Sequence, residues 1–424
     1  MSEAGGGPAP GDPEPPAAVP DRHDPFQALR HGEYRWFLLG NLLLIVATQV
    51  QTVVLGWQVY ELTRDPLSLG LVGLAEAIPF LLLTLYGGHV ADVADRRRVC
   101  MVSQAFLSAT AVALFLLNLR GPVQATFWLY GAQVAGGVAR AFLRPAYQAL
   151  AADLVPREAY ANASTWRSGM FHIAMVAGPA VGGLLIRHGY AVAYGVEAGL
   201  MVVGSLYFLG VEPRPAPAAV AGDVLARLRE GVVFVFREKV VLGALSLDLF
   251  AVLFGGAPAL LPIFAKEILQ VGAVGFGWLR AAPAVGSILM SFSLVFLPPM
   301  KRAGRTLLIC VALFGACWIA FALSRSFALS LVLLALSGAF DNVSVVLRAT
   351  LVQSFTPREL MGRVSAVNSF FIGSSNEVGA FESGLAARLL GTVPSVLFGG
   401  AMTLVVVAAT AWRVPALRRL REIR

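Results

Sequence analysis

Ionisable side chains fall inside stretches that are otherwise apolar for about 20 residues, among them Glu76, Arg140, Asp248, Arg280, Glu377 and Glu382. A charge at the centre of a spanning helix costs about 2.5–3.5 kcal/mol on insertion scales, so such groups face a bundle interior or an aqueous cavity. A carboxylate in a partly desolvated cavity can load a proton on the acidic side of a membrane and release it on the other. Glu377, near the centre of its run, is the first candidate for that role. At 100° per residue Glu377 and Glu382 point about 140° apart, so they need different partners. Arg280 and Arg140 are the cations at hand, and the sequence does not pair them. Asp341 and Arg348, seven residues apart, share a helix face. The structural alternative for each of these charges is a static interhelical ion pair or a snorkelling end residue. Glu197, nearer the end of its run, reads as structural.

A second group is uncharged. Gln49, Gln51, Thr52, Trp57 and Gln58 put amides and an aromatic face on one apolar run. They suit an amphipathic ligand and serve equally well as structural hydrogen bonds and an interface anchor.

The elements that must position these groups are membrane helices. A soluble chain carries roughly a quarter charged residues, whereas this one has 14% charged against 57% hydrophobic and a mean hydropathy of +0.72. Apolar runs fall at 36–60, 68–90, 99–119, 123–143, 162–186, 191–211, 240–264, 275–297, 305–323, 327–347, 365–390 and 392–412. The expected fold class is therefore all-α and polytopic, with twelve transmembrane helices. Basic residues cluster after every second run: Arg96, Arg97 and Arg98, then Arg157, then Arg214, Arg227, Arg229, Arg237 and Lys239. The intervening loops hold one each: Arg64, Arg120, Arg187, Lys266, Arg325 and Arg388. By the positive-inside rule both termini are expected in the cytoplasm, with the protein in the inner membrane. The net charge of +8 then meets anionic lipid headgroups, and no nucleic-acid partner is expected.

The expected division is a disordered cytoplasmic tail at 1–25, a six-helix half at 26–211, a linker at 212–239, a second half at 240–412 and a basic tail at 413–424. The tail at 1–25 lacks the basic flank and apolar core of a cleavable signal. The linker begins Pro-rich and turns amphipathic, as Val224, Leu225, Leu228, Val232 and Val235 alternate with Arg227, Arg229 and Glu230. An internal repeat supports the halving: LVPREAYANAST at 154–165 and FTPRELMGRVSA at 355–366 stand 201 residues apart. At the same offset Gly178 matches Gly379, Gly183 matches Gly384 and Leu184 matches Leu385. Repeats of this kind recur in secondary transporters, with the substrate site near the midplane between halves.

Other chemistries lack their residues. None of the three lysines, Lys239, Lys266 and Lys301, follows a glycine, so there is no Gly-Lys phosphate loop and an ion gradient is the expected energy source. No His-Glu-x-x-His, paired-cysteine spacing or Gly-x-Ser-x-Gly elbow occurs, and no metal, cofactor or enzymatic activity is expected. Cys100, Cys310 and Cys317 read as small apolar helix residues.

Two motifs carry a resemblance. The stretch Gly88-His89-Val90-Ala91-Asp92-Val93-Ala94-Asp95-Arg96-Arg97-Arg98 resembles the loop signature of the major facilitator superfamily, Gly-x-x-x-Asp followed by arginines, with Val93 and Asp95 in place of its usual Arg and Gly. On that reading Gly88 allows close helix approach and Asp92 with Arg96 and Arg97 forms a gate. The corresponding loop of the second half has Lys301, Arg302, Gly304 and Arg305 but no acid. In the fifth run Gly178-Pro179-Ala180-Val181-Gly182-Gly183 resembles the Gly-Pro-x-x-Gly-Gly element of drug and proton antiporters. Packing alone explains such a side-chain-poor face as well. From Phe26 to the C-terminal basic cluster the pattern is similar to the enterobactin-exporter-like branch, notably at Gln51 to Trp57, Leu279 to Gly286, Asn376-Glu377 and Phe381 to Gly384. The resemblance implies export of a siderophore or another small amphipathic compound against a proton flux, by a protein for which a monomer is the default. A nutrient importer and a non-transporting sensor remain the alternatives.

Overall fold

The computed structural model describes residues 24–213, 224–255, 257–297 and 302–420. Most of the tail expected at 1–25, the end of the one at 413–424, Arg214 and Lys301 lie outside them. Among the described residues all regular structure is helical. The helices are α1 (Gly32–Thr63), α2 (Pro66–Val93), α3 (Arg96–Asn118), α4 (Thr126–Asp153), α5 (Tyr160–Ile186), α6 (Tyr190–Tyr207), α7 (Val224–Arg237), α8 (Lys239–Phe254), the short α9 (Leu261–Ile263), α10 (Gly272–Phe296), α11 (Ala303–Leu323), α12 (Phe327–Phe355), α13 (Met361–Leu390), α14 (Thr392–Arg413) and α15 (Pro415–Arg419). Among the described residues ten helical stretches are long and apolar enough to cross a membrane. Two further helices, α4 and α13, are as long but less apolar, and they carry Arg140, Glu377 and Glu382.

Local chemistry sets the helix ends. Asp65 accepts from Leu67 N at 3.2 Å and so caps α2, and Asp95 accepts from Arg97 N at 3.0 Å to cap α3. Gly189 (φ 103°) turns the chain from α5 into α6, and Gly391 (φ 94°) turns it from α13 into α14. A side chain at either would strain the left-handed backbone. The repeat read from sequence is also a repeat of local structure: Pro156 and Pro357 each precede a 3-10 turn, Arg157–Ala159 and Arg358–Leu360, and α5 and α13 follow directly.

The apolar run at 240–264 is not one helix. After Phe254 the chain passes through a 3-10 turn (Ala257–Leu260), α9 and a π-helical turn (Phe264–Ile268). Pro258 and Pro262 lack the N–H groups that a continuous ladder needs, so the helix breaks there. Such breaks persist at membrane depth only where the freed backbone is buried in protein or lines a cavity.

The core shows how the two ends of the bundle differ. At the end remote from the termini one cluster draws on both parts of the chain, with Val54, Trp57, Leu69 and Leu129 beside Phe264, Phe276, Trp318 and Ala387. At the terminal end the buried residues separate: one cluster holds only residues between Ala28 and Val211, and two others hold only residues from Val235 onward. Helix α7 packs on α13, where Arg363 is paired with Glu230.

Candidate functional site

The charged side chains meet where α2, α4, α10 and α13 converge. Glu76 of α2 is paired with Arg140 of α4, and Gln133, two turns before Arg140, donates to the other Glu76 oxygen at 3.2 Å. Gly137 allows this approach: a Cβ there would clash with the backbone carbonyl of Glu76. Glu377 of α13 faces the same pair. A Cβ on Gly73, one turn before Glu76, would stand 3.1 Å from Glu377 Oε2. Glu76, Arg140, Arg144 and Arg280 all act on Glu377 through space. Two carboxylates thus share a set of guanidiniums, and Glu377 makes no direct ion pair among the described residues. It is half-buried, so it is both desolvated and reachable.

Arg280 of α10 donates to Pro258 O at 3.3 Å, in the 3-10 turn that follows α8. Glu382 lies further along α13, half-buried, with Ser383 Oγ at 3.5 Å. Asp248 of α8 is paired with Arg348 of α12; they are 8% and 4% exposed, and Asp341 stands within electrostatic reach. Sequence reasoning gave Arg348 a helix face but no site role, because nothing in the sequence shows that α8 and α12 are neighbours. Arg144 was missed altogether. It lies one turn after Arg140, over the Phe80 ring at 5.0 Å. Glu197, expected near a helix end, is fully buried on α6, and neither carboxylate oxygen has a hydrogen-bond partner among the described residues.

The residues of α1 divide. Gln58 is structural: it donates to Asn118 Oδ1 at 3.0 Å and accepts from Tyr194 OH at 2.8 Å. Gln51 is buried at 5% exposure. Trp57 stacks on Phe276 with ring centres 5.8 Å apart and lies under Lys266 Nζ at 5.2 Å, so it belongs to the end where the core is joined rather than to the charged centre. That end holds polar bonds that sequence reasoning did not assemble. Lys266 Nζ meets Glu61 Oε1 at 2.5 Å, Tyr190 OH bonds the other Glu61 oxygen, and Tyr60 OH bonds Glu267. Arg64 lies 3.7 Å from Glu267, and Arg388 lies 3.6 Å from Asp65. A signal was available: Arg64, Lys266 and Arg388, the lone basic residues of their loops, each find an acid here.

The glycine element of α5 packs in two directions. A Cβ on Gly182 would stand 3.3 Å from Val50 O of α1, and one on Gly178 would stand 3.0 Å from Val46 O. Gly183 instead faces α10, where a Cβ would stand 2.6 Å from Ala273 O and 2.9 Å from Gly277 Cα. Pro179 presents its carbonyl to Gly277. The repeat-related Gly384 of α13 makes the same kind of seam with α2, its Cβ position 2.9 Å from Gly70 Cα.

The loop after α2 differs in detail from the expected gate. Arg96 pairs with Asp153 at 2.5 Å, and Arg97 donates to Phe208 O at 3.4 Å and Leu209 O at 3.3 Å. Asp92 is exposed, and no ion pair joins it to Arg96 or Arg97 among the described residues. The arginines tie the loop to the ends of α4 and α6 and do not bridge the two parts of the chain. Gly88 faces open space; close approach falls to Gly87, whose Cβ would clash with Ala141 O of α4. One residue is 100° of helix, enough to turn the neighbouring glycine away.

Residues 23–422 match the family described as transmembrane secretion effectors. The chain belongs to this family, within the major facilitator superfamily. It is 25% identical over 402 residues to the multidrug efflux pump Tap of Mycolicibacterium fortuitum, covering 90% of this chain and 97% of the pump. It is also 25% identical over 401 residues to the enterobactin exporter EntS of Escherichia coli O1:K1, covering 92% and 94%. Among solved structures it resembles a bacterial homologue of the human lysosomal transporter Spinster in an inward-facing, unoccupied conformation, with TM-score 0.71, 17% identity and coverage of 91% and 98%. A transporter of the POT family in complex with 5-aminolevulinic acid gives TM-score 0.72 at 11% identity, covering 91% and 96%. At these identities the structures establish the fold alone. This secretion-effector member is therefore a multi-pass membrane transporter of a small molecule.

Proposed function

We propose that this protein exports a small amphipathic compound, siderophore or drug-like, by proton antiport with alternating access. The observation that carries the proposal is Glu377: a half-buried carboxylate without a direct ion pair among the described residues, facing Glu76, Arg140, Arg144 and Arg280 at the junction of α2, α4, α10 and α13. Protonation of Glu377 changes the net charge of that cluster by one, and a substrate carrying its own charge competes for the same guanidiniums. That two relatives, Tap and EntS, are an efflux pump and an exporter supports outward transport. In this reading twelve helices span the inner membrane as two six-helix halves, 26–211 and 240–412, joined by the linker 212–239 and acting as a monomer. Both termini lie in the cytoplasm. In the same reading Glu382, Asp248 and Gln51 flank the substrate cavity, Pro179 and Gly183 form with α10 a seam along which the halves move, and Gly178 and Gly182 seat α5 on α1 within the first half.

The core joined at the remote end and divided at the terminal end supports an inward-facing state. The bonds among Glu61, Lys266, Tyr60 and Glu267 then hold the outer face shut. The test is flux into inverted vesicles, comparing the wild type with Glu377→Gln for a catecholate siderophore and a cationic dye, with and without a protonophore. Gradient-driven uptake that disappears in the variant is the expected result. Uptake that survives Glu377→Gln returns Glu377 to a structural role, and uptake that the protonophore leaves unchanged excludes proton coupling.

A further inference from the structure

We propose that a cavity lined by arginines beside the start of α11 binds the phosphodiester headgroup of an anionic phospholipid. Two adjoining cavities of about 420 Å³ each share Arg305, Arg418 and Arg419, and Arg302 completes the ring. All four side chains are exposed, and none is paired with an acid among the described residues. Four guanidiniums converge because the chain folds back. Gly304, without a side chain, lets the backbone of Leu417 lie against it, and Leu417 is fully buried in that contact. The docking of α15 on the first turn of α11 places 418–419 beside 302–305.

This clustering is electrostatically unfavourable without an anion. The first turn of the 21-residue α11 has unsatisfied backbone N–H groups, and its Arg302 cap position makes no side-chain capping bond. Arginines there add positive charge to the positive end of the helix dipole. The corresponding turn of α3 faces the same problem and solves it within the protein: Asp95 caps the helix and pairs with Arg98 at 3.4 Å, and Asp153 takes Arg96. No described acid does so at α11. The negative charge that several guanidiniums and a helix N-terminus recognise together is a phosphate oxyanion.

The walls favour lipid over free phosphate. Leu308 and Ile309 line the same cavity, one and a half turns into α11, and Ile309 is 58% exposed. On the neighbouring α14 the last turn presents Trp412 at 77% exposure, as an interfacial aromatic would be. A diester phosphate at the arginines therefore has an apolar surface beside it for its acyl chains. Basic pockets at this depth are suited to lipid headgroups.

The test uses delipidated full-length protein in detergent, titrated with phosphatidylglycerol or phosphatidylcholine and read by native mass spectrometry. It compares the wild type, a variant with Arg302, Arg305, Arg418 and Arg419 changed to Gln, and a control variant with the equally exposed Arg35, Arg157, Arg229 and Arg358 changed to Gln. Each arginine near an anionic headgroup contributes about fivefold in affinity, the ratio equivalent to about 1 kcal/mol. The cavity variant is expected to bind phosphatidylglycerol at least tenfold more weakly, with phosphatidylcholine binding and melting temperature unchanged, while the control variant keeps most of its affinity. Equal losses in the two variants would mean generic surface attraction and overturn the proposal, as would a wild type that does not distinguish the two lipids. Displacement of phosphatidylglycerol by equimolar inorganic phosphate would assign the cavity to a free anion and overturn the lipid assignment.

Discussion

Replacing Gly183 with leucine should open the outer face. In the structure a Cβ at Gly183 would stand 2.9 Å from Gly277 Cα, whereas carbon atoms in contact rest about 3.5–4.0 Å apart, so α5 and α10 must separate by roughly 0.6–1.1 Å. The obstacle is backbone on both sides, since Ala273 O lies at 2.6 Å, and no side-chain rotation relieves it. Overpacking of this kind costs about 1–3 kcal/mol, and the cost falls on the state in which the seam is closed. In the alternating-access reading that penalty shifts the equilibrium toward the outward-open state by about 5- to 150-fold. The assay is alkylation by a membrane-impermeant maleimide of Ala387→Cys, a position 3% exposed in the joined core, after replacing Cys100, Cys310 and Cys317 with alanine. The labelling rate from outside should rise within that range for Gly183→Leu, and less for Gly183→Ala. A rate unchanged in Gly183→Leu, in protein that still melts cooperatively, would refute the argument that this seam holds the face closed.

Other substitutions separate the remaining contacts. Asp248→Asn strands the 4%-exposed Arg348, and breaking a buried pair costs about 3–5 kcal/mol; Asp341 within reach sets the expectation at the lower end, and a melting temperature in detergent equal to wild type would sink it. Lys266→Met removes a bond to Glu61 that is 36% exposed, so its effect is held to about 1 kcal/mol or less and should shrink further in high salt. The same labelling assay should show an increase below about fivefold, and an increase matching Gly183→Leu would assign the closure to the ion pair rather than the seam. Gly88→Ala should leave folding and flux unchanged, whereas Gly87→Val should depress both by forcing α2 from Ala141 of α4; the reverse order, measured as membrane yield and vesicle uptake, would restore the expected role of Gly88.

Much of this molecule was legible without its fold. Mean hydropathy and the spacing of apolar runs locate helices, because a lipid solvent leaves a backbone little alternative to satisfying its own hydrogen bonds. The 201-residue offset anticipated the matching turns at Pro156 and Pro357, since turn chemistry is local. Charges in apolar runs marked Glu76, Arg140, Asp248, Arg280 and Glu377 by the cost of placing them in lipid. Tertiary structure decided what those charges face. Glu76 could have met Arg280, and Asp248 could have met Arg140; relative depth and rotation of helices distant in sequence gave Arg140 to the first and Arg348 to the second. Helical phase likewise moved close approach from Gly88 to Gly87, and turned Arg96 from Asp92 to Asp153. The joined core with its polar bonds and the arginine cavity are also tertiary facts. Each joins residues whose separation along the chain carries no information about their separation in space, whereas hydropathy and turn preference act between near neighbours and survive in the sequence.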